Sequence, residues 1–425
     1  MIEYSSTTVY SERQAYIVRR LIVYVILAVL ISLTGCDKAD QVIPSVSSQT
    51  AESERPLSQP PESTTSSPEL PPPVVWDNQA LMKDLYTASP YSVSYSELID
   101  TYLIACGLYF DFNSPYLFPA DVMADYQETI DYFSPYKDHG FIRDLGAFVD
   151  EQNTNASMNV YVPLLQYAVS MKETGECTGN IQSYVFQTDE AFYEFLEKLQ
   201  QFYTDTQAAA FFEQSAIHKQ LETYIQSEMP RVPVTAYFDA AESYTGTKNR
   251  LFPGQNLHYA TCLSVYKSRN NASFHQVSVN EDMYFLSYQS PLGYNGSFHI
   301  QDMLETTLHE SLHPFINPGV EQQQEMIQSL AGDKNPAEYT SSIYVNMPWY
   351  RITDEAIVRA VQARIYRNIE QGNETAAKQL LDRQTGVANL YSMYDSLAGY
   401  ENNRETYPGI DDYLQILIPI YLGEN

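Results

Sequence analysis

Residues 305–318 read Glu305-Thr-Thr-Leu-His309-Glu310-Ser-Leu-His313-Pro314-Phe-Ile-Asn-Pro318. His309 and His313 stand four apart, which on a helix is about 40° of rotation and one turn of rise, so both imidazoles reach one ion. Glu310 lies between them in sequence and suits a carboxylate that takes a proton from water instead of binding the metal. Projected at about 100° per residue, Ile300, Met303, Leu304, Leu308 and Leu312 form one stripe, with Asp302, Thr306, His309 and His313 opposite. The stretch therefore predicts a helix with a buried apolar face and a metal-facing polar one.

A catalytic zinc is held by three side chains and keeps a fourth position open. The best third ligand is Glu355, in Thr353-Asp354-Glu355-Ala-Ile-Val-Arg359-Ala360, which we expect to open a helix running to Arg367. Asp354, Glu338, Glu325 and Glu321 compete with it. Arg359, one turn after Glu355, is placed to orient that carboxylate or to bind a substrate oxygen. Tyr350 and Tyr344, in the intervening loop, are candidate donors to a developing oxyanion. A proline directly after His313 predicts that the first helix bends or ends there.

Upstream, four β-branched or aromatic runs predict strands: Val232–Phe238, Leu257–Lys267, Phe274–Val279 and Met283–Tyr288, with a turn over Ser268–Ser273. They imply a small antiparallel sheet just before the His-Glu helix. Residues 76–229 read as helical, with apolar residues at three and four spacing in Asn78–Thr87, Tyr95–Tyr109, Ala120–Tyr132, Phe141–Asp150 and Met158–Met171. Thr188 predicts an N-cap for Asp189–Tyr203, and Gln207–Gln226 continues the pattern. The apolar run Tyr413–Leu422 docks as a terminal element.

The N-terminus has a different character. Arg13, Arg19 and Arg20 precede the apolar run Leu21–Leu33, which closes on Leu33-Thr34-Gly35-Cys36. Residues 1–35 resemble a bacterial lipoprotein signal peptide, and that resemblance makes Cys36 the lipid-bearing first residue of the mature chain. Residues 36–75 are rich in Pro, Ser, Thr and Glu and read as a tether with nothing to fill a core. We expect a bacterial membrane location with the globular part outside the cytoplasm.

The formal net charge of −29, from 24 Lys+Arg against 53 Asp+Glu, argues against nucleic acid as a partner. The leader's three Arg and two Glu leave the remainder no less acidic when removed. Thirty-six tyrosines suit groove walls or, more simply, an exposed surface. Cys106, Cys177 and Cys262 have no zinc-site spacing and allow at most one bridge. His258, His275 and His299 read as ordinary strand or loop residues.

The pattern His309-Glu310-Ser-Leu-His313, with a glutamate-bearing helix some forty residues later, resembles the gluzincin branch of zinc metallopeptidases. His313-to-Pro318 with Glu355-to-Ala360 is similar to uncharacterised bacterial envelope proteins classed as domains of unknown function, over Leu199–Ile416. The resemblance implies an α+β, zincin-like fold over residues 230–425. It implies Zn²⁺ as cofactor, His309, His313 and Glu355 as ligands, Glu310 as general base, and a peptide or protein substrate. This chain lacks the Asn before the glutamate and the Ser-Asp after it that the best-known gluzincins carry. The alternative is a catalytically inactive metal-binding or partner- and glycan-binding surface lipoprotein.

Overall fold

The computed structural model describes residues 76–424 except 77, 113–116, 119–125, 150–155, 178–185, 187, 268–272, 280, 294–295, 342–343, 371 and 385. Cys36, the leader, the tether and most of the turn expected at 268–273 lie outside the described residues. The first half runs α1 (Asn78–Leu81), β1 (Lys83–Ala88), β2 (Tyr91–Tyr95), α2 (Glu97–Tyr109), α3 (Gln127–Phe133), α4 (Gly140–Val149), α5 (Ala156–Thr174), α6 (Asp189–Asp205), α7 (Ala208–Gln214) and α8 (Ala216–Glu228). Next come α9 (Val234–Thr245), α10 (Lys248–Leu251), β3 (Asn256–Leu263), β4 (Ser273–Val279), β5 (Asp282–Gln289) and α11 (Ile300–Gln322). The chain closes with α12 (Gln324–Ala331), α13 (Trp349–Ile369), α14 (Glu374–Asp382), α15 (Leu390–Asn402) and α16 (Ile410–Tyr421). The fold is α+β, mostly helical around one five-stranded sheet. Among the described residues no helix is long and apolar enough to cross a membrane.

Local signals place several of these elements. Thr188 caps α6, its hydroxyl accepting from the Ala191 N–H at 3.2 Å, and Ser96 caps α2 through the Ile99 N–H at 3.2 Å. Ser215 interrupts the expected Gln207–Gln226 helix, separating α7 from α8.

The sheet corrects two expectations. Its order is β1-β2-β3-β5-β4, and it is mixed, not antiparallel. The outer pairs β1/β2 and β4/β5 are antiparallel, while β2/β3 and β3/β5 are parallel. Its first two strands come from the region read as helical, within and after Asn78–Thr87. β1 pairs only with β2, and β2 joins the sheet across the sequence: Tyr91 pairs with Tyr259 and Tyr95 with Leu263, partners that no local periodicity announces.

Val232–Phe238, expected as the first strand of that sheet, instead leads into helix α9. Val234, Tyr237, Phe238, Ala241, Tyr244 and Thr245 are all buried, which is the three-and-four spacing of a helix with one face in the core. A β-branched and aromatic run serves a buried helix as well as a strand. Gly246 ends it at φ 66°, a left-handed cap that glycine takes without steric penalty.

The tyrosines also differ from expectation, because many of them are core. Tyr91, Tyr102, Tyr126, Tyr259, Tyr266, Tyr288, Tyr394, Tyr400 and Tyr421 are fully buried. Several hydroxyls are paired inside, as in Tyr126 to the Val265 carbonyl at 2.7 Å and Tyr400 to the Tyr244 carbonyl at 2.6 Å. The three cysteines are free thiols, Cys106 and Cys262 being buried.

Two apolar cores lie on either side of α11. Met303, Leu304 and Phe315 join the core built on the sheet, with Tyr91, Leu98, Phe195 and Phe285. Leu308, Leu312, Ile316 and Val320 join the second core, with Ile357, Val361, Leu397 and Leu414. Where α11 meets the sheet, Thr307 Oγ1 lies 3.1 Å from Thr261 Oγ1 and accepts from Gln289 Nε2 at 2.6 Å. Fixed between the two cores, α11 has one polar edge left to face α13.

α11 does not end after His313. It runs on to Gln322 through Pro314 and Pro318, although each proline removes one hydrogen bond to the carbonyl four residues earlier. Burial of Phe315, Ile316, Gly319 and Val320 beyond the first proline holds the continuing turns in place, so packing overrides the local break.

Candidate metal centre

α11 presents His309 and His313 on consecutive turns, ring centroids 5.0 Å apart and planes at 87°. α13 lies alongside and brings in Glu355, whose Oε2 is 3.5 Å from His309 Nε2 and whose Oε1 is 3.6 Å from His313 Nε2. One ligand atom from each residue falls within 4.8 Å of the other two. A tetrahedral ion with bonds of about 2.0–2.1 Å has ligands roughly 3.4 Å apart, and each histidine already has one Glu355 oxygen near that separation, a different oxygen in each case. Glu355 lies in the second turn of α13, which starts at Trp349 and not at Glu355 as expected.

The chemistry of this donor set fits a divalent cation. Glu355 Oε2 is buried and accepts no well-formed hydrogen bond; the Arg359 guanidinium at 3.1 Å answers part of its charge, and an ion shared with the histidines would supply the missing partner. Burial would raise the Glu355 pKa, but His309, Arg359 and His313 outweigh it and hold the carboxyl well below its ordinary range. The group is an anion at every physiological pH.

Behind the ligands, Asp354 Oδ2 stands 3.3 Å from His313 Nδ1. The Asn317 amide, turned so that its NH₂ faces that carboxylate, donates to both Asp354 oxygens at 2.5 and 2.8 Å; the opposite orientation would set oxygen against oxygen. Burial disfavours a charged His313, yet the hydrogen bond and charge of Asp354, with Glu355 and Glu310, lift its pKa to about 10. At that pKa the ring carries both protons; a metal would displace the one on Nε2, while the carboxylate on Nδ1 keeps the other and directs Nε2 toward Glu355, the support usual behind a metal-ligating histidine.

Arg359 closes the other side. Its Nη2 lies 3.1 Å from Glu355 Oε2 and its Nη1 3.5 Å from His309 Nε2. Its guanidinium carbon is 5.9 Å from the centre of the Tyr344 ring.

Two cavities flank the cluster. One, of about 190 Å³, is lined by His309, Glu310, Tyr344 and Arg359 together with Glu305 and Arg383. The other, of about 240 Å³, is lined by Glu310, His313, Tyr344, Asp354 and Glu355 with Met347 and Arg351. Glu310 and Tyr344 border both. Burial and the charge of Glu355, opposed by Arg359, raise the Tyr344 pKa to about 12, so its phenol keeps its proton at neutral pH.

The other expected residues lie elsewhere. Tyr350 lines a separate cavity of about 610 Å³ with Trp349, Gln324 and Glu325. Glu321 pairs with Arg351 at 3.3 Å, and Glu338 lies in a short 3₁₀ turn, Pro336–Glu338. His299 caps α11 by accepting from the Asp302 N–H at 3.2 Å, a structural role. Asn317 was not anticipated, though its position four residues after His313 was a usable signal.

Residues 94–420 match a family described as a domain of unknown function, DUF4932. The chain belongs to the DUF4932 family. No curated protein and no solved structure matches it. The DUF4932 match takes in the end of β2 and the sheet from β3 onward, most of both flanking cores and the whole cluster of His309, Glu310, His313, Asp354, Glu355 and Arg359. Cys36 falls before it.

Proposed function

We propose that this DUF4932 chain is a zinc-dependent peptidase, held outside the cytoplasm by lipid on Cys36 and hydrolysing peptide bonds in a protein substrate. The observation that carries this reading is the convergence of His309, His313 and Glu355 beside Glu310, where two cavities meet. When bound, zinc supplies a Lewis acid that polarises a carbonyl and makes water a nucleophile near neutral pH.

The chain's own residues divide the remaining work. Glu310 takes the proton from the attacking water and hands it to the leaving amine. Asp354 and Asn317 hold the His313 ring, and Arg359 holds Glu355. Tyr344, protonated and bordering both cavities, donates its O–H to the carbonyl oxygen as charge gathers there.

The test is metal content and proteolysis measured together. One zinc per chain is expected, lost in His309→Ala; cleavage of an unfolded protein is expected to vanish in Glu310→Gln while the metal stays. Full proteolysis by Glu310→Gln refutes the mechanism. The anchor is tested separately by labelled fatty acid, whose incorporation should disappear in Cys36→Ala.

A further inference from the structure

The cavity of about 190 Å³ beside Glu310 differs in character from an ordinary ligand pocket. Ligand pockets are mostly apolar and run to roughly 300–1,000 Å³, so this one has room for a single side chain. Among the described residues its apolar lining is limited to Leu380 and the Tyr344 ring. The rest is charged or hydrogen-bonding, including Asp302, Glu305, Thr306, Gln362, Arg383 and Gln384.

These groups are held in place. Arg383, from the end of α14, reaches α11, with Nη2 2.5 Å from Glu305 Oε2 and Nη1 3.8 Å from Asp302 Oδ1. Gln362 Nε2, from α13, donates to the Glu305 carbonyl at 2.6 Å. Three helices thus lock one polar wall next to the metal cluster. Arg383 is 40 % exposed and Glu305 10 % at the side chain, so the guanidinium is the partner open to solvent.

From this arrangement we infer that the cavity is the subsite for one substrate side chain beside the scissile bond, and that it selects an uncharged, hydrogen-bonding residue such as Asn, Gln, Ser or Thr. This inference rests on the peptidase reading. Both guanidiniums of the wall are already paired, Arg383 with Glu305 and Asp302 and Arg359 with Glu355, so an acidic side chain finds no free cation, and a basic one would compete for Glu310, the carboxylate that takes the proton. A large apolar side chain would strip water from these groups and return no hydrogen bond, and sites built to pair polar groups reject apolar analogues strongly.

The test uses the zinc-loaded Glu310→Gln protein and peptide hydroxamates identical except for the adjacent side chain, Gln or Ser in one set and Leu or Phe in the other. Calorimetry should give at least tenfold tighter binding for the polar set. Adding Arg383→Leu with Glu305→Leu removes both charges together, which avoids stranding one of them; the ranking should then invert with zinc content unchanged. Equal or tighter binding of the Leu and Phe compounds to the unaltered pocket overturns the inference, as does an unchanged ranking in the doubly substituted protein. No hydroxamate binding at all to the zinc-loaded protein overturns the inference, while zinc content alone decides the metal site. Mapping the bonds cut by the wild-type protein in a peptide mixture separates the two readings. Cleavage without polar preference sinks the subsite and leaves the peptidase standing, whereas the expected hydroxamate ranking without any cleavage leaves a polar side-chain pocket beside the metal but overturns the peptidase reading and, with it, the cavity's role as a cleavage subsite.

Discussion

Asp354 Oδ2 faces His313 Nδ1 across 3.3 Å, and the residue next to Asp354 in sequence supplies the carboxylate that faces the same ring's other nitrogen. Two consecutive acids on one helix therefore grip one histidine from both sides. Their roles differ, since only Glu355 also reaches His309.

That division predicts different losses. Glu355→Gln removes a ligand and should abolish stoichiometric zinc. Asp354→Asn keeps all three ligands and should weaken zinc affinity by about 10–100-fold, the usual effect of losing a partner behind a metal-bound histidine. Competition with a chelator of known affinity measures both. Equal losses from the two substitutions would contradict the assignment.

Tyr344→Phe tests the oxyanion donor. The ring and its packing against Arg359 are kept, so zinc content should not change. The turnover number should fall by about 10²–10³-fold, the range for a lost oxyanion donor, with little change in KM. A rise in KM at constant turnover would assign Tyr344 to substrate binding instead.

The site was more legible in the sequence than the fold around it, for physical reasons. His309 and His313 are four residues apart on one helix, and helical geometry alone brings them together. Glu355 was placed by its spacing from that helix, but Asp354 was read as its rival because two neighbours about 100° apart on a helix cannot be oriented without knowing which face is covered. Val232–Phe238 has the composition of a strand, and only the spacing of buried residues continuing to Thr245 marks it as the start of a helix. β2 escaped because its partner β3 lies more than 160 positions away, as in Tyr91 with Tyr259, and β1, which pairs only with β2, escaped with it. The Arg383–Glu305 pair, 78 residues apart, has no local signature at all.

Gly319 tests the support of α11 from behind. A Cβ there would come within 2.8 Å of Leu414 Cδ1 and 3.1 Å of Asp411 Cβ on α16. Gly319→Val must displace the Leu414 side chain or α16 itself, and overpacking of this kind costs about 1–3 kcal/mol. A lower melting temperature is expected, read by circular dichroism. An unchanged or higher value would mean that α16 does not pack on this turn.

Lys267 predicts a pH-dependent stability. Its side chain is 1 % exposed, its Nζ donates to the Tyr288 carbonyl at 2.9 Å, and the nitrogen lies 4.8 and 4.1 Å from the Tyr161 and Tyr288 ring centres. Burial drives its pKa down to about 7, partly offset by the charge of Glu310. The unfolded lysine titrates near 10.4, so between about pH 7 and 10 the unfolded chain binds the extra proton, and this residue's contribution to stability rises with pH. Below pH 7 both states are charged and the full cost of burying the ammonium remains, on the order of 4 kcal/mol for a shift of this size. Lys267→Met should therefore raise the melting temperature more at pH 6.5 than at pH 9. The comparison is of variant with wild type at each pH, which cancels the titration of the tyrosines. A gain that is equal at the two pH values, or larger at pH 9, would show that the lysine is not forced toward its neutral form.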